Sequence, residues 1–218
     1  MTYGKSTLTL KLVNRVPAVP ELRKSDLAAE PLEQFRSWYA EAGAAEDRPA
    51  EAMALATASS DGVPSVRMVL LKGADERGFV FFTGYASRKA AELDANPRAA
   101  LLFHWPALGR QVRVEGPVER VAGQESDAYF ATRPRGAQLA ATASQQSSVL
   151  STREEIDERV ADLAREHAGD DLRRPEHWGG YRLVPATYEF WQHRDDRMHD
   201  RLRYRRSGPD WIVERLSP

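Results

Sequence analysis

Apolar and polar positions change period several times along the chain, and each change marks an element. Over 31–43 the apolar residues Leu32, Phe35, Trp38 and Tyr39 recur at helical spacing. Pro31 suits a first turn and Gly43 a stop, so a helix is predicted there. The pattern then shortens to strands. Residues 52–58 run into Ser-Ser-Asp-Gly, where Asp61-Gly62 is a hairpin signal, and 64–72 return from it. A turn at 74–78 leads into a strand over 78–83. Residues 86–96 interrupt with a short helix, capped by Ser87 and closed by Asn96-Pro97. Strands resume at 98–105 and 110–121. Helical spacing returns over 124–133 and 137–143, and Thr152-Arg153-Glu154-Glu155 reads as a capping box opening a helix to about 167. A linker covers 170–177, then strands are predicted at 181–184, 188–192, 198–206 and 211–215. Short strands joined by turns, with few helices between them, favour an antiparallel barrel over a doubly wound sheet. Residues 1–20, broken by Pro17 and Pro20, read as a mobile arm, and 21–218 as one domain.

Composition narrows the function classes. No apolar run approaches a membrane span, and the N-terminal residues alternate rather than forming a signal peptide, so a cytoplasmic protein with no membrane contact is expected. The absence of cysteine excludes disulfides, thiolate nucleophiles and Cys-ligated metal or iron–sulfur centres. His167, His177 and His193 show no metal-ligand spacing, and no metal is expected. The net charge of −1 is unevenly spread. Residues 67–113 hold eight Lys/Arg against four acids, whereas 153–171 hold eight acids against three Arg. A local basic cluster in a near-neutral chain suits a small anionic ligand better than nucleic acid.

Several short runs carry candidate chemistry. In Thr83-Gly-Tyr-Ala-Ser-Arg-Lys89 a strand enters a helix whose first turn bears Arg88 and Lys89. Cations at a helix start are disfavoured by roughly 0.3–1 kcal/mol each, so two of them point to a compensating phosphate; the alternative is a solvated turn paired with Glu92 or Asp94. Arg67 and Lys72 bracket four apolar residues and face opposite sides of a regular strand. They fit two separate anions, one anion if the strand bulges, or simply strand-end charges reaching water. Tyr129 and Arg133 share a helix face and can clamp a phosphate ester, or form a half-buried Tyr beside a surface Arg. Gln145-Gln146-Ser147-Ser148 suits hydrogen bonds to a heteroaromatic edge and equally suits an ordinary loop. His104-Trp105 and Trp178-Gly179-Gly180 are expected to pack. Along a strand over 197–205, Arg197, His199, Arg201, Arg203 and Arg205 would share one face, with Met198, Asp200, Leu202 and Tyr204 on the other. That row needs an anionic or aromatic cover, or pairing with Asp195, Asp196 and Asp200.

The C-terminal run Glu-Phe-Trp-Gln, four residues, then Arg-Met-His-Asp-Arg (189–201) resembles the signature of the pyridoxamine 5′-phosphate oxidase family. The resemblance extends from about Leu22 to Pro218 through 67–72, Ser87-Arg88-Lys89, Gly109-Arg110-Gln111, Arg133-Pro134-Arg135, Gln145-Gln146-Ser147-Ser148 and Trp178-Gly179-Gly180. It implies an antiparallel Greek-key split β-barrel with flanking helices, and a homodimer with FMN in each of two clefts at the subunit interface. By resemblance, FMN would meet Arg67, Met68, Val69, Leu70, Leu71, Lys72, Phe82, Thr83, Arg88, Lys89, Gln111, Gln146, Ser147, Trp191 and Arg201. The substrate phosphate would meet Lys72, Tyr129 and Arg133. Arg197 and His199 would be the catalytic pair flanking the pyridine ring, Arg197 fixing the substrate over the flavin and His199 orienting it. The implied reaction oxidises pyridoxamine or pyridoxine 5′-phosphate to pyridoxal 5′-phosphate, with oxygen as acceptor and hydrogen peroxide as product.

The chain departs from the family pattern at Ala137, where Ser is frequent, at His193 and Arg194, where Gly follows Trp-Gln, and in the arm, which has Asn14 and Pro17 in place of Arg and Tyr. The alternatives are a related split-barrel flavoenzyme acting on another small molecule such as a phenazine precursor, a flavin- or pyridoxal-phosphate-binding module without turnover, and nucleic-acid binding through 194–206.

Overall fold

The computed structural model describes residues 20–45, 49–169 and 171–218. The expected arm over 1–20, with Asn14 and Pro17, therefore lies outside the described residues except for Pro20. Helix α1 spans Pro31–Ala45 and runs through Gly43, which does not stop it. Strands β1 (Ala52–Ala58) and β2 (Pro64–Leu70) form the hairpin signalled by Asp61-Gly62, with Gly62 at φ 86. The expected turn at 74–78 contains a short strand, β3 (Gly73–Asp75), which pairs with β4 (Gly78–Gly84). Helix α2 (Arg88–Ala95) follows, then β5 (Arg98–Trp105), β6 (Arg110–Arg120), α3 (Gly123–Ala131), α4 (Arg135–Ala143) and α5 (Glu154–Glu166). The chain ends in β7 (Trp178–Leu183), β8 (Thr187–Gln192), β9 (Asp200–Ser207) and β10 (Asp210–Arg215).

All pairings are antiparallel. One path runs β10-β9-β8-β6-β5-β1-β2, and a branch runs β3-β4-β7-β6. The long β6 joins them: residues 110–115 pair with β8 and 118–120 with β7. The change of partner falls at Gly116, where a Cβ would sit 1.9 Å from the Val184 carbonyl oxygen. Only glycine allows that approach, and it lets the sheet split and curl into a barrel. The resulting architecture is an antiparallel split β-barrel with flanking helices. Helix α1 plugs it: the Phe35 ring lies 4.8 Å from Phe79 and 4.9 Å from Phe103, and Trp38 lies 5.2 Å from Phe190.

Three local expectations need correction. Thr152 does not cap α5. The N-cap is Arg153, with no side-chain cap bond, and the Glu155 carboxylate accepts from the Ser151 N–H. Ser87 is the N-cap of α2, yet its hydroxyl turns away from the helix to accept from Lys89 Nζ at 3.3 Å. The strand expected over 198–206 starts only at Asp200, because Arg197 takes a left-handed φ of 64 and breaks the ladder before it. Arg201, Arg203 and Arg205 keep their shared face. Asp200, Leu202 and Tyr204 are buried on the other, but Met198 is exposed. Among the described residues no helix is long and apolar enough to cross a membrane.

Trp178-Gly179-Gly180 packs as expected. Trp178 stacks on Phe82 at 5.4 Å, and Phe82 on Tyr129 at 4.1 Å. A Cβ on Gly180 would lie 2.6 Å from Val121 and 2.8 Å from the Phe82 ring. Gly180→Ala should therefore cost about 1–3 kcal/mol by overpacking, read as a fall in Tm of roughly 2–4 °C per kcal/mol. An unchanged Tm would show that the stack yields freely.

Candidate functional site

Beside the edge strand β2 lies a cavity of about 820 Å³, a size that accommodates a cofactor and a small substrate. Thirteen of the expected site residues line it: Arg67, Met68, Val69, Leu70, Lys72, Phe82, Thr83, Arg88, Lys89, Tyr129, Arg133, Gln146 and Ser147. Arg67 and Lys72 reach the same cavity despite their odd spacing. Strand β2 ends at Leu70, and the chain then changes partner: the Leu71 N–H donates to Glu51 O at 2.9 Å and the Lys72 N–H to Val80 O at 2.8 Å. The cavity takes residues from both faces of this edge strand, Arg67 and Val69 from one and Met68 and Leu70 from the other, so Lys72 reaches it while keeping the strand's alternation. Leu71 does not line the cavity, because its side chain is buried in the core.

Two cationic centres sit at the α2 end. Lys89 is 7% exposed, and its Nζ donates to Thr83 Oγ1 (3.0 Å), Gln146 Oε1 (3.0 Å) and Ser87 Oγ (3.3 Å). All three acceptors are neutral. Burial, reinforced by the Arg67 charge and only partly opposed by Glu92, pulls the ammonium down to about 8. A buried cation held only by neutral oxygens is a costly arrangement that a bound anion relieves. Arg67 and Arg88 instead meet Glu92, at 3.2 Å and 2.8 Å. Burial raises the Glu92 carboxyl, but hydrogen bonds from Ser65, Thr57, Arg88 and Arg67 outweigh it and hold the group at about 2. Glu92 thus fixes the direction of both guanidinium groups and consumes part of their charge. The alternative of a turn paired with Glu92 is accordingly correct for Arg88 and incorrect for Lys89. The Ser147 hydroxyl accepts from the Arg88 backbone N–H at 3.3 Å. Ser147 and Arg197 are the non-glycine residues with positive φ among those described. Strain of this kind, about 1–3 kcal/mol each, persists where surrounding structure enforces it.

The same cavity is lined by Tyr129 on α3 and by Arg133, which lies two residues beyond the end of that helix rather than on it as expected. The Arg133 guanidinium lies 4.6 Å over the Trp178 ring. Its Nη1 is buried and has no hydrogen-bond partner among the described residues. Burial draws the guanidinium below its ordinary value, and it raises the Tyr129 phenol against the opposing charge of Arg133. An orphaned donor on a half-buried cation suits an anionic oxygen.

Gln111, Trp191 and Arg201 are elsewhere. They line a second cavity of about 250 Å³ with Leu102, Arg113, Glu189 and Pro218. Strands β6, β8 and β9 stand three, four and five places from β2 in the sheet order, about 14–24 Å along the sheet. Glu189 pairs with Arg201 at 2.8 Å and Arg113 at 2.6 Å. Arg203 and Arg205 pair with Glu214 at 2.6 and 3.2 Å. The arginine row is therefore matched by carboxylates, chiefly Glu189 and Glu214 rather than Asp195 and Asp196. Arg197 and His199 line neither cavity. They precede β9 in a turn, and the His199 ring lies 4.6 Å from Trp191, beside the second cavity.

The sequence-based expectation had Glu92 only as an alternative partner for the α2 charges and Trp178 only as a packing residue, and it missed Glu189, Thr57 and Ser65. Signals existed: Glu92 is four residues after Arg88, and Glu189 shares a strand face with Trp191.

Fold and site together define a split β-barrel protein with a cation-lined cleft beside an edge strand. A family model for pyridoxamine 5′-phosphate oxidase matches residues 40–165, and one for the pyridoxine 5′-phosphate oxidase C-terminal dimerisation region matches 178–218. Similar curated proteins include pyridoxine/pyridoxamine 5′-phosphate oxidases from Salinibacter ruber (53% identical over 201 residues, 91% of this chain and 94% of that one) and Rubrobacter xylanophilus (56% over 189 residues, 87% of each). Among solved structures, PhzG from Burkholderia lata in complex with tetrahydrophenazine-1-carboxylic acid superposes with TM-score 0.86 at 36% identity, covering 92% of this chain and all of that one. The chain belongs to the pyridoxamine 5′-phosphate oxidase family.

Proposed function

We propose that the protein is an FMN-dependent oxidase converting pyridoxine or pyridoxamine 5′-phosphate to pyridoxal 5′-phosphate, with oxygen as acceptor and hydrogen peroxide as product. The observation that carries this reading is one cavity lined by two cations that make no ion pair among the described residues: Lys89, hydrogen-bonded to neutral oxygens, and Arg133, with an orphaned Nη1. Two phosphate esters, one on each ring, match two such centres. The identity of 53–56% to proteins named as these oxidases, against 36% to PhzG, favours the vitamer over a phenazine precursor.

FMN fits the residues present. Its phosphate would be held by Arg67, Arg88, Lys89 and Ser147, and its ring edge by Gln146 and the 67–72 backbone. When bound, FMN would supply the redox chemistry, as acceptor of the hydride from the substrate C4′ carbon with oxygen as the final acceptor. The protein's part is orientation and charge. Lys72, Tyr129 and Arg133 grip the substrate phosphate, and the Phe82–Tyr129–Trp178 stack excludes water behind them.

The remaining site residues, Gln111, Trp191, Arg197, His199 and Arg201, complete the cleft from a second copy of the chain. Two features support this. The second cavity shares no lining residue with the first. The outward face of β2 is apolar and open, with Val66 69%, Met68 64% and Leu70 45% exposed, the kind of edge that a partner covers. The matched dimerisation region holds Trp191, Arg197, His199 and Arg201. Purified protein should show flavin absorbance and, with pyridoxine 5′-phosphate in air, yield peroxide and pyridoxal phosphate together. Yellow protein without product would leave a binding module or another substrate, and protein that takes up no FMN would end the reading.

Lys89 gives the pH dependence. A phosphate dianion favours the charged ammonium, which the flavin-free protein loses above about 8. The FMN dissociation constant should be flat near pH 7 and rise above pH 8, toward tenfold per pH unit. Lys89→Arg should remove that limb, as fluorescence titration can measure; a limb unchanged in the variant would assign it to another group.

A further inference from the structure

The turn between β8 and β9 carries a second imidazole that the oxidase reading does not use. The His193 ring centre lies 5.3 Å from that of His199 and 6.2 Å from Trp191, and His199 lies 4.6 Å from Trp191. The three rings form one cluster. The His193 backbone N–H donates to Gly109 O at 2.8 Å, tying the turn to the start of β6. The Arg194 N–H donates to His199 Nδ1 at 3.1 Å. A donor aimed at Nδ1 leaves the ring hydrogen of a neutral imidazole on Nε2.

We propose that His193 is a positioning residue for the reaction, packing against His199 and Trp191 so that His199 keeps one orientation and the Nε2–H tautomer at the substrate ring. The inference rests on the oxidase reading and deepens it. His199 then offers the substrate a neutral donor, which polarises an oxygen or nitrogen without adding a charge beside Arg197. The electrostatics agree. Burial lowers His199, with His193 and Arg197 acting in the same direction and Asp196 opposing them. Other charged groups around the turn are engaged. Asp195 lies 3.4 Å from His193 Nε2, Asp200 holds Arg215 at 2.8 Å and Arg194 at 4.0 Å, Arg110 donates to Gln192 and Glu41, and Arg201 pairs with Glu189.

The test combines two readouts on the full chain. In 15N-labelled, flavin-free protein, imidazole nitrogen shifts of His199 report tautomer and titration directly, with assignment by a His199→Gln variant. His193→Phe keeps a ring and removes its charge; His193→Gly removes the ring. The proposal expects the wild-type His199 hydrogen on Nε2, an upward move of the His199 midpoint toward its ordinary value in His193→Phe, and tautomer averaging in His193→Gly. In turnover, His193→Phe should shift the acid limb of kcat/KM to higher pH, with a loss of roughly threefold at pH 6 and KM nearly unchanged at pH 8. His193→Gly should lower kcat at every pH. An identical His199 tautomer and midpoint in all three proteins would overturn the proposal, whether or not the enzyme turns over. Absence of turnover with the NMR changes present would instead count against the oxidase reading alone.

Discussion

Arg133→Ala is expected to raise the KM for pyridoxine 5′-phosphate by about a hundredfold while changing kcat little. The guanidinium is half-buried over Trp178, and its Nη1 has no partner among the described residues. A hydrogen bond to a charged group contributes about 1.5–3 kcal/mol, and losing one partner of a desolvated charge pair costs about 2–5 kcal/mol. The hundredfold figure corresponds to roughly 2.7 kcal/mol, inside both ranges. The substrate phosphate keeps its charge throughout the reaction, so Arg133 binds ground state and transition state alike, and the loss belongs in KM. FMN affinity, measured by fluorescence quenching on the same variant, should stay within about twofold. If instead FMN is lost and KM holds, the two phosphates occupy the opposite ends of the cavity from those assigned here. Tyr129→Phe is a smaller change of the same kind, because the phenol is neutral.

The barrel was legible because its strands alternate and its turns carry their own chemistry. Asp61-Gly62 and the run of short strands place β1, β2, β4, β5 and β6 within a few residues, while β3 falls where only a turn was expected. The misreadings have physical causes. Arg, His and Arg at alternate positions 197, 199 and 201 look like one strand face, but residue type does not reveal that Arg197 adopts φ 64 and ends the ladder. Thr152 and Glu155 have capping-box spacing, yet Arg153 is already helical and Glu155 turns to Ser151. Ser87 is drawn from its capping role by the Lys89 ammonium beside it. Arg67 and Lys72 do face opposite sides of β2, as their spacing says, and they share one cavity because an edge strand offers both faces to it, which the spacing alone cannot show. The resemblance named residues of both cavities as one set. A single chain separates Arg67 and Lys89 from Trp191 and Arg201, and no local pattern could say so.

That separation has a consequence of large size. Arg67→Ala and Trp191→Ala, each purified as a homodimer, should be nearly without flavin and activity, since every cleft then lacks one wall. The first variant keeps the β8–β9 wall intact and the second keeps the β2–α2 wall. In an isologous dimer, each cleft takes one wall from each subunit. A mixed dimer of the two variants therefore has one cleft with both lesions and one with neither. Equal amounts unfolded and refolded together, or co-expressed with different tags, give mixed dimers as about half of the population, so about a quarter of the clefts are whole. Flavin content and turnover should both rise from near zero to about 25% of the unmutated protein, with the KM of the restored sites unchanged. Recovery to that level places the halves on different subunits. Were both cavities joined within one chain, no mixture of the two lesions could exceed the activity of its components. Affinity purification through both tags should bring the ratio to one intact cleft per dimer, about half the wild-type flavin, because selection removes the two homodimers and leaves only the pairing that restores a wall.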